Sequence, residues 1–268
     1  MRLFAYLAVL LSVVTGAAAQ NAVPEHRYVY TRDVDFFGAD RSNLFDTTQE
    51  ACQRACSADD LCVAFTFTAR SNACFPKSAV NAREPYVGAM SAARVATPAA
   101  ILQGARDRAE ALNPSAADSR AALALARAMG ARFPVGAQTE DDLIRAADAA
   151  WQRGDRAAAL RWVGTAVALT DAPDLWVRYA DHARRLGDTV SSAQRRRGRA
   201  EAVPAALNGY LRAASAGAQA TALIELALAY EATGRGRDMI APLRLAQALQ
   251  PRDSTADLLD GAISKYGF

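Results

Sequence analysis

Histidine and lysine are nearly absent from this chain of 268 residues: His26 and His182 are the two histidines, Lys77 and Lys265 the two lysines. With the histidines so few and so far apart, no Cys-His nucleophile pair is in view. His-Glu-x-x-His, Gly-x-Ser-x-Gly and the phosphate-cradling Gly-x-x-x-x-Gly-Lys are missing too, which removes the commonest metalloprotease, hydrolase and nucleotide-binding signatures. No catalytic residue, cofactor or metal is expected, and the chain reads as a binding protein, not an enzyme. A strong excess of one charge is also lacking. Lys and Arg number 31 against 28 Asp and Glu, a net +3, so nucleic acid is not an expected partner. Long apolar runs are confined to residues 3–14, about a dozen residues where a bilayer span needs roughly 20.

That one apolar run has a different meaning. Met1-Arg2 precedes it, and the small residues Thr15-Gly16-Ala17-Ala18-Ala19 follow it. The order is that of a secretory signal peptide, with cleavage after Ala19 and Gln20 as the new N-terminus. Loss of Arg2 lowers the net charge to about +2. No cysteine follows the run, so a lipid anchor on cysteine is not expected. The mature chain is expected to be periplasmic or secreted, with no membrane span left.

Two compositions then meet near Thr97-Pro98. Aromatics, turn formers and all four cysteines crowd residues 26–90, while Ala, Leu and Arg fill residues 97–265. Cys52, Cys56, Cys62 and Cys74 are four cysteines in an exported chain, the setting in which a small domain is stapled by disulfides. Spacing leaves all three pairings open. Thr47-Thr48-Gln49-Glu50 reads as a helix start, with Thr47 as cap and Glu50 closing a capping box. Cys52 and Cys56 then lie one turn apart on one helix face. Residues 63–68 alternate as a strand does, which Cys62 introduces, and Cys74 begins the next. Zinc would call for paired Cys-x-x-Cys or added histidines, whereas three, five and eleven residues lie between the cysteines here and His26 and His182 are the only histidines.

Phe37-Gly38-Ala39-Asp40, the helix with Cys52-x-x-x-Cys56, the strand Cys62-Val63-Ala64-Phe65-Thr66-Phe67 and the strand Cys74-Phe75-Pro76-Lys77 together resemble a PAN/Apple domain. The resemblance implies a helix packed on an antiparallel sheet, and a nested pairing of Cys52 with Cys74 and Cys56 with Cys62. It also implies binding of a protein or carbohydrate ligand. The extra pair that joins the termini of larger members is missing, as in the shorter bacterial versions. The resemblance assigns no binding residue. Phe36, Phe37, Tyr28, Tyr30 and Tyr86 read as an exposed aromatic platform or, the commoner case, as core and cross-strand pairs. Asp33, Asp35 and Asp40 do not follow a calcium-loop spacing and read as a solvated turn.

From Pro98 the apolar period becomes 3.6. Leu143, Ala146, Ala147, Ala150 and Trp151 share a face, as do Ala159, Trp162, Val163, Ala166 and Val167 after a Gly154-Asp155 break. Further helices are expected over Leu175 to Leu186, Ala193 to Ala202, Leu207 to Ala214, Leu223 to Tyr230, Met239 to Leu249 and from Ser254, where Asp257 completes a capping box, to Gly267. Trp151, Trp162 and Trp176 fall on core positions. Arg195-Arg196-Arg197-Gly198-Arg199 reads as a solvated face. The hairpin around Gly154 resembles a tetratricopeptide repeat. The expected fold is therefore α+β: a signal peptide at 1–19, a PAN/Apple-like domain at 20–96, a helical linker region at 97–140 and a helical-repeat domain at 141–268.

The order of these parts, with the closing run Ala262-Ile263-Ser264-Lys265-Tyr266-Gly267-Phe268, is similar to the N-terminal region of bacterial alpha-2-macroglobulin family proteins. That resemblance implies an accessory recognition segment of a protease-trapping inhibitor, with proteases among its partners. The family's Cys-x-Glu-Gln thioester motif is absent, so these residues could not trap a protease covalently. The other reading is a stand-alone periplasmic adaptor holding glycan or envelope protein on one part and a partner on the helices.

Overall fold

The computed structural model describes residues 22–187 and 190–267; the leader expected over 1–19 lies outside them. The first part is strand β1 (His26–Phe37), helix α1 (Gln49–Ala58) and strands β2 (Ala64–Thr68), β3 (Ala73–Lys77) and β4 (Ala82–Ala96). The strands form one antiparallel sheet in the order β1-β4-β2-β3. Helix α1 lies on one face, where Tyr28, Tyr30, Phe65 and the cysteines form a small core. Cys52 is bonded to Cys74 and Cys56 to Cys62, so both disulfides start from α1, and the first ties it to β3.

The cap of α1 is Thr48, whose hydroxyl accepts from the Ala51 N–H at 3.2 Å. The sequence placed it one residue early. Thr47 is held instead by its N–H, which donates to Asn72 O in the β2–β3 turn. Both sheet edges are covered, as an unpaired edge would invite another chain. Residues 39–47 run along β3, with Arg41 and Leu44 N–H groups donating to Pro76 and Cys74 carbonyls. On the other edge, Val135 donates to Tyr30 O of β1 at 2.7 Å.

The rest is helical: α2 (Ala99–Leu112), α3 (Ala116–Arg132), α4 (Glu140–Gln152), α5 (Arg156–Thr170), α6 (Pro173–Arg184), α7 (Ser192–Arg212), α8 (Ala216–Ala232), α9 (Ile240–Leu249) and α10 (Asp253–Tyr266). From α4 onward each helix packs on the next, while α7 also receives α2 and α3. One core runs from Val23 to Ala262. Two expected helices, 193–202 and 207–214, are a single helix through Pro204. A proline inside a helix costs about 3 kcal/mol, yet every residue from Ala202 to Arg212 is buried, and that burial outweighs the lost donor. Helix α10 starts one residue before Ser254 and has no side-chain cap, so the Ser254–Asp257 box is not formed. Trp176 is buried, whereas Trp151 and Trp162 are half-buried beside a satellite cluster.

The start of α3 is fastened to the end of α8 by charge. Asp118 accepts from Arg235 twice, at 2.7 and 2.8 Å, and from Tyr230 Oη at 3.1 Å. Burial opposes ionisation of Asp118, but the hydrogen bonds from Arg235, Ser115 and Tyr230 outweigh it and hold the carboxyl below its usual range. A carboxylate depressed in the folded state adds stability that is complete above its unfolded value, about pH 4, and lost as pH falls through the folded value. Acid titration of the urea midpoint should therefore show a falling limb below about pH 4 that is shallower in Asp118→Asn. Identical limbs in the two proteins would remove this network from the acid response.

Candidate binding site on the sheet

The feature that shapes the open face of the sheet is an irregularity between β1 and β4. Arg32 pairs with Met90 and Val34 with Pro85, so Asp33 alone stands opposite residues 86–89. Asp33 is left-handed (φ 58°) and its carboxylate accepts from Gly88 N–H at 2.8 Å; Gly88 itself has φ 89°, which a side chain would strain. Such bulges bend a strand pair and re-aim its side chains. Here the far end of the β1–β4 ribbon comes over the sheet. The Phe36 N–H is shared by Thr66 Oγ1 of β2 (3.1 Å) and Ser91 Oγ of β4 (3.2 Å), and those hydroxyls lie 2.7 Å apart. Ser91 in turn donates to Val34 O at 2.7 Å.

Between ribbon and sheet lies a cleft of about 310 Å³. Phe37 and Tyr86 rim it from the ribbon, 59% and 50% exposed. Thr66, Thr68 and Phe75 line it from the sheet. Lys77 stands among them, almost wholly buried, with its ammonium on the Asp40 carboxylate and 5.9 Å above the Phe75 ring. A buried ammonium without that partner would be costly. The cleft therefore offers aromatic rims, the partly exposed Thr68 and one fixed ion pair, the polar and apolar mixture that fixes a ligand's orientation.

Tyr28, Tyr30, Phe36, Phe37 and Tyr86 separate into two sets. Tyr28, Tyr30 and Phe36 are buried, while Phe37 and Tyr86 are exposed. The three acids separate as well: Asp33 locks the bulge, Asp40 holds Lys77, and Asp35 lines the cleft. Among the described residues no group of three or more His, Cys, Asp or Glu is placed to hold a metal. The hydroxyl pair Thr66–Ser91 went unread in the sequence; the one signal was Gly88 inside a strand pattern, which marks a bulge or a close approach.

The sheet, its crossing helix and the two staples are matched from β1 to β4 by one family, the PAN domain, over residues 26–95. This segment is a PAN domain. The match takes in none of the helices after β4, and no curated protein and no solved structure matches the chain. PAN domains are protein- or carbohydrate-binding modules, and with the two disulfides they point to an extracellular or secreted protein. No described helix is long and apolar enough to cross a membrane.

The PAN domain is seated firmly on the helices. Arg27 of β1 donates to Ala168 O (2.6 Å) and Leu169 O (2.9 Å), satisfying carbonyls in the last turn of α5. Gly130 of α3 lies so close to β1 that a Cβ there would fall 1.9 Å from Tyr28 O. Only glycine fits. Gly130→Ala should therefore cost on the order of 1–3 kcal/mol by overpacking, read as a lowered urea midpoint. An unchanged midpoint would show that β1 and α3 can separate freely.

Proposed function

We propose that this protein is an exported, non-catalytic recognition module whose PAN domain binds a carbohydrate in the cleft between the bent ribbon and the sheet. The observation that carries this reading is the exposure of Phe37 and Tyr86 across a floor that holds Thr68 and the Lys77–Asp40 pair. Flat aromatic rims accept the apolar face of a sugar ring, and the Thr68 hydroxyl and the charges meet its polar edge. The helical-repeat part holds the PAN domain and leaves its own outer face to a protein partner. Export by a leader cleaved after Ala19 into the periplasm, no cofactor, and no nucleic-acid partner belong to the same reading.

A place at the N-terminus of an alpha-2-macroglobulin-like inhibitor, with proteases as eventual targets, rests on sequence resemblance. The stand-alone adaptor is its alternative. Either one needs a ligand for the PAN domain, so the first test is common to both. Screening the purified chain against a glycan array, followed by titration of the best neutral sugar, should give binding that Phe37→Ala with Tyr86→Ala weakens at least tenfold. No glycan bound, or equal binding by the double variant, would overturn the carbohydrate reading.

A further inference from the structure

A larger cleft, about 540 Å³, opens on another side of the molecule, where the PAN domain meets α3. Its walls come from both parts: Glu25 just before β1, His26 and Tyr28 on β1, Gln53 and Ser57 on α1, and Arg127 on α3. The polar groups converge with spare capacity. Ser57 Oγ donates to Gln53 O, so the Tyr28 hydroxyl 2.9 Å away donates to Ser57 and keeps its own lone pairs. Gln53 spends its carbonyl on the Tyr30 hydroxyl at 2.7 Å, leaving its NH₂ as a donor. The Arg127 guanidinium forms no ion pair or side-chain hydrogen bond among the described residues.

Burial first, then the charge of Arg94, push the His26 imidazole below its usual range; Glu25 pulls the other way and Arg127 adds a smaller push, so the two arginines together outweigh the one carboxylate. Arg94 spends one NH₂ group on the Asp59 and Cys62 carbonyls, which leaves its charge in place. Tyr28 presents its ring edge-on to His26 at 5.6 Å and closes the wall with an aromatic surface. An anion gains from this field, and a guanidinium fork suits a carboxylate in particular.

We propose that the joint cleft is a second binding site, for a carboxylate-bearing sugar of the hexuronic acid kind. Arg127 takes the carboxylate, and the Gln53 amide with the Tyr28–Ser57 hydroxyls takes the ring hydroxyls. The site differs from the sheet-face cleft in ligand charge and in drawing a residue from the helices. It stands whether or not that cleft binds sugar.

Calorimetric titration of the full chain with glucuronate, glucose and acetate tests it. Glucuronate should bind at least tenfold more tightly than either control, since glucose lacks the charge and acetate lacks the hydroxyls. Arg127 lies exposed on α3, so Arg127→Gln should keep the wild-type melting profile while losing at least tenfold in glucuronate affinity. Arg127→Lys, keeping the charge without the fork, should fall between. The double variant Phe37→Ala with Tyr86→Ala should bind glucuronate as the wild type does. Acetate binding as tightly as glucuronate would overturn the sugar assignment. Undiminished binding by Arg127→Gln, or loss in the double variant alone, would overturn the site.

Discussion

Removing both disulfides, by Cys→Ala at positions 52, 56, 62 and 74, should unfold the PAN domain while the helices stay folded. The core under α1 is small, and Cys52, Cys56, Cys62 and Cys74 make up a large share of it, each at most 1% exposed. A domain of this size buries too little apolar surface to stand without staples. The Cys52–Cys74 bond closes a separation of 22 residues and Cys56–Cys62 one of 6. Chain-entropy arguments give about 3 and about 2 kcal/mol for loops of those lengths. Together they are as large as the whole stability of many domains. The tryptophans report the outcome cleanly, because Trp151, Trp162 and Trp176 all lie after the PAN domain. Near-ultraviolet circular dichroism of the tyrosines should lose its PAN signal without denaturant, while tryptophan fluorescence keeps a cooperative urea transition. Because Tyr179, Tyr210, Tyr230 and Tyr266 lie in the helices, only retention of the whole wild-type tyrosine signal in the all-alanine variant would mean that the core suffices by itself. Loss of both signals together would mean that the seat made by Arg27 and Gly130 makes the two parts one folding unit.

How far the sequence reached depended on which force decided each element. The α+β class and the change from strands to helices near Thr97-Pro98 were legible because composition and period change together there. The four cysteines announced a stapled unit, but their spacing left three pairings and only the family resemblance chose one. The cleft was not legible. Simple alternation puts Tyr28, Tyr30 and Phe36 on one face of β1. The bulge at Asp33 breaks that parity, so Phe36 leaves the cluster under α1 and is buried under Arg83, whose guanidinium lies 4.6 Å from its ring centre. Nothing local specifies that bulge except Asp33, which tolerates the left-handed region, and Gly88 in the facing strand. Pro204 misled for the converse reason: its local penalty is real, and contacts with α3 and α6 that are distant in sequence overrule it. Joint residues such as Arg27 and Arg127 carry no signature at all, since Arg27 bonds a carbonyl 141 residues away and Arg127 shares a cleft with residues of other elements.

Trp176→Ala should be the most damaging single substitution in the helices, costing about 4 kcal/mol. The indole is 1% exposed, so its removal leaves a large cavity at the α5–α6–α7 junction. It also removes a polar anchor. Trp176 Nε1 donates to Asp171 Oδ1 at 2.7 Å, and Asp171 is the left-handed residue that ends α5. Asp171 forms an ion pair at 2.9 Å with Arg212, whose side chain is 1% exposed and whose guanidinium faces the Trp176 ring at 5.2 Å. Arg212 donates in turn to Asn208 Oδ1 at 2.6 Å, and the Asn208 amide donates to Ala122 O of α3. A buried pair of charges is tolerable only while its geometry and neighbours are kept. Trp176→Phe keeps most of the volume and gives up the hydrogen bond, so it should cost about 1–2 kcal/mol. Trp162→Ala, at a half-buried ring, should cost less than Trp176→Ala. Urea unfolding followed by far-ultraviolet circular dichroism ranks the three. A Trp176→Ala loss below about 2 kcal/mol would show that the junction collapses into the cavity. In that case Asp171 and Arg212, not the indole, would be what holds α5, α6 and α7 together.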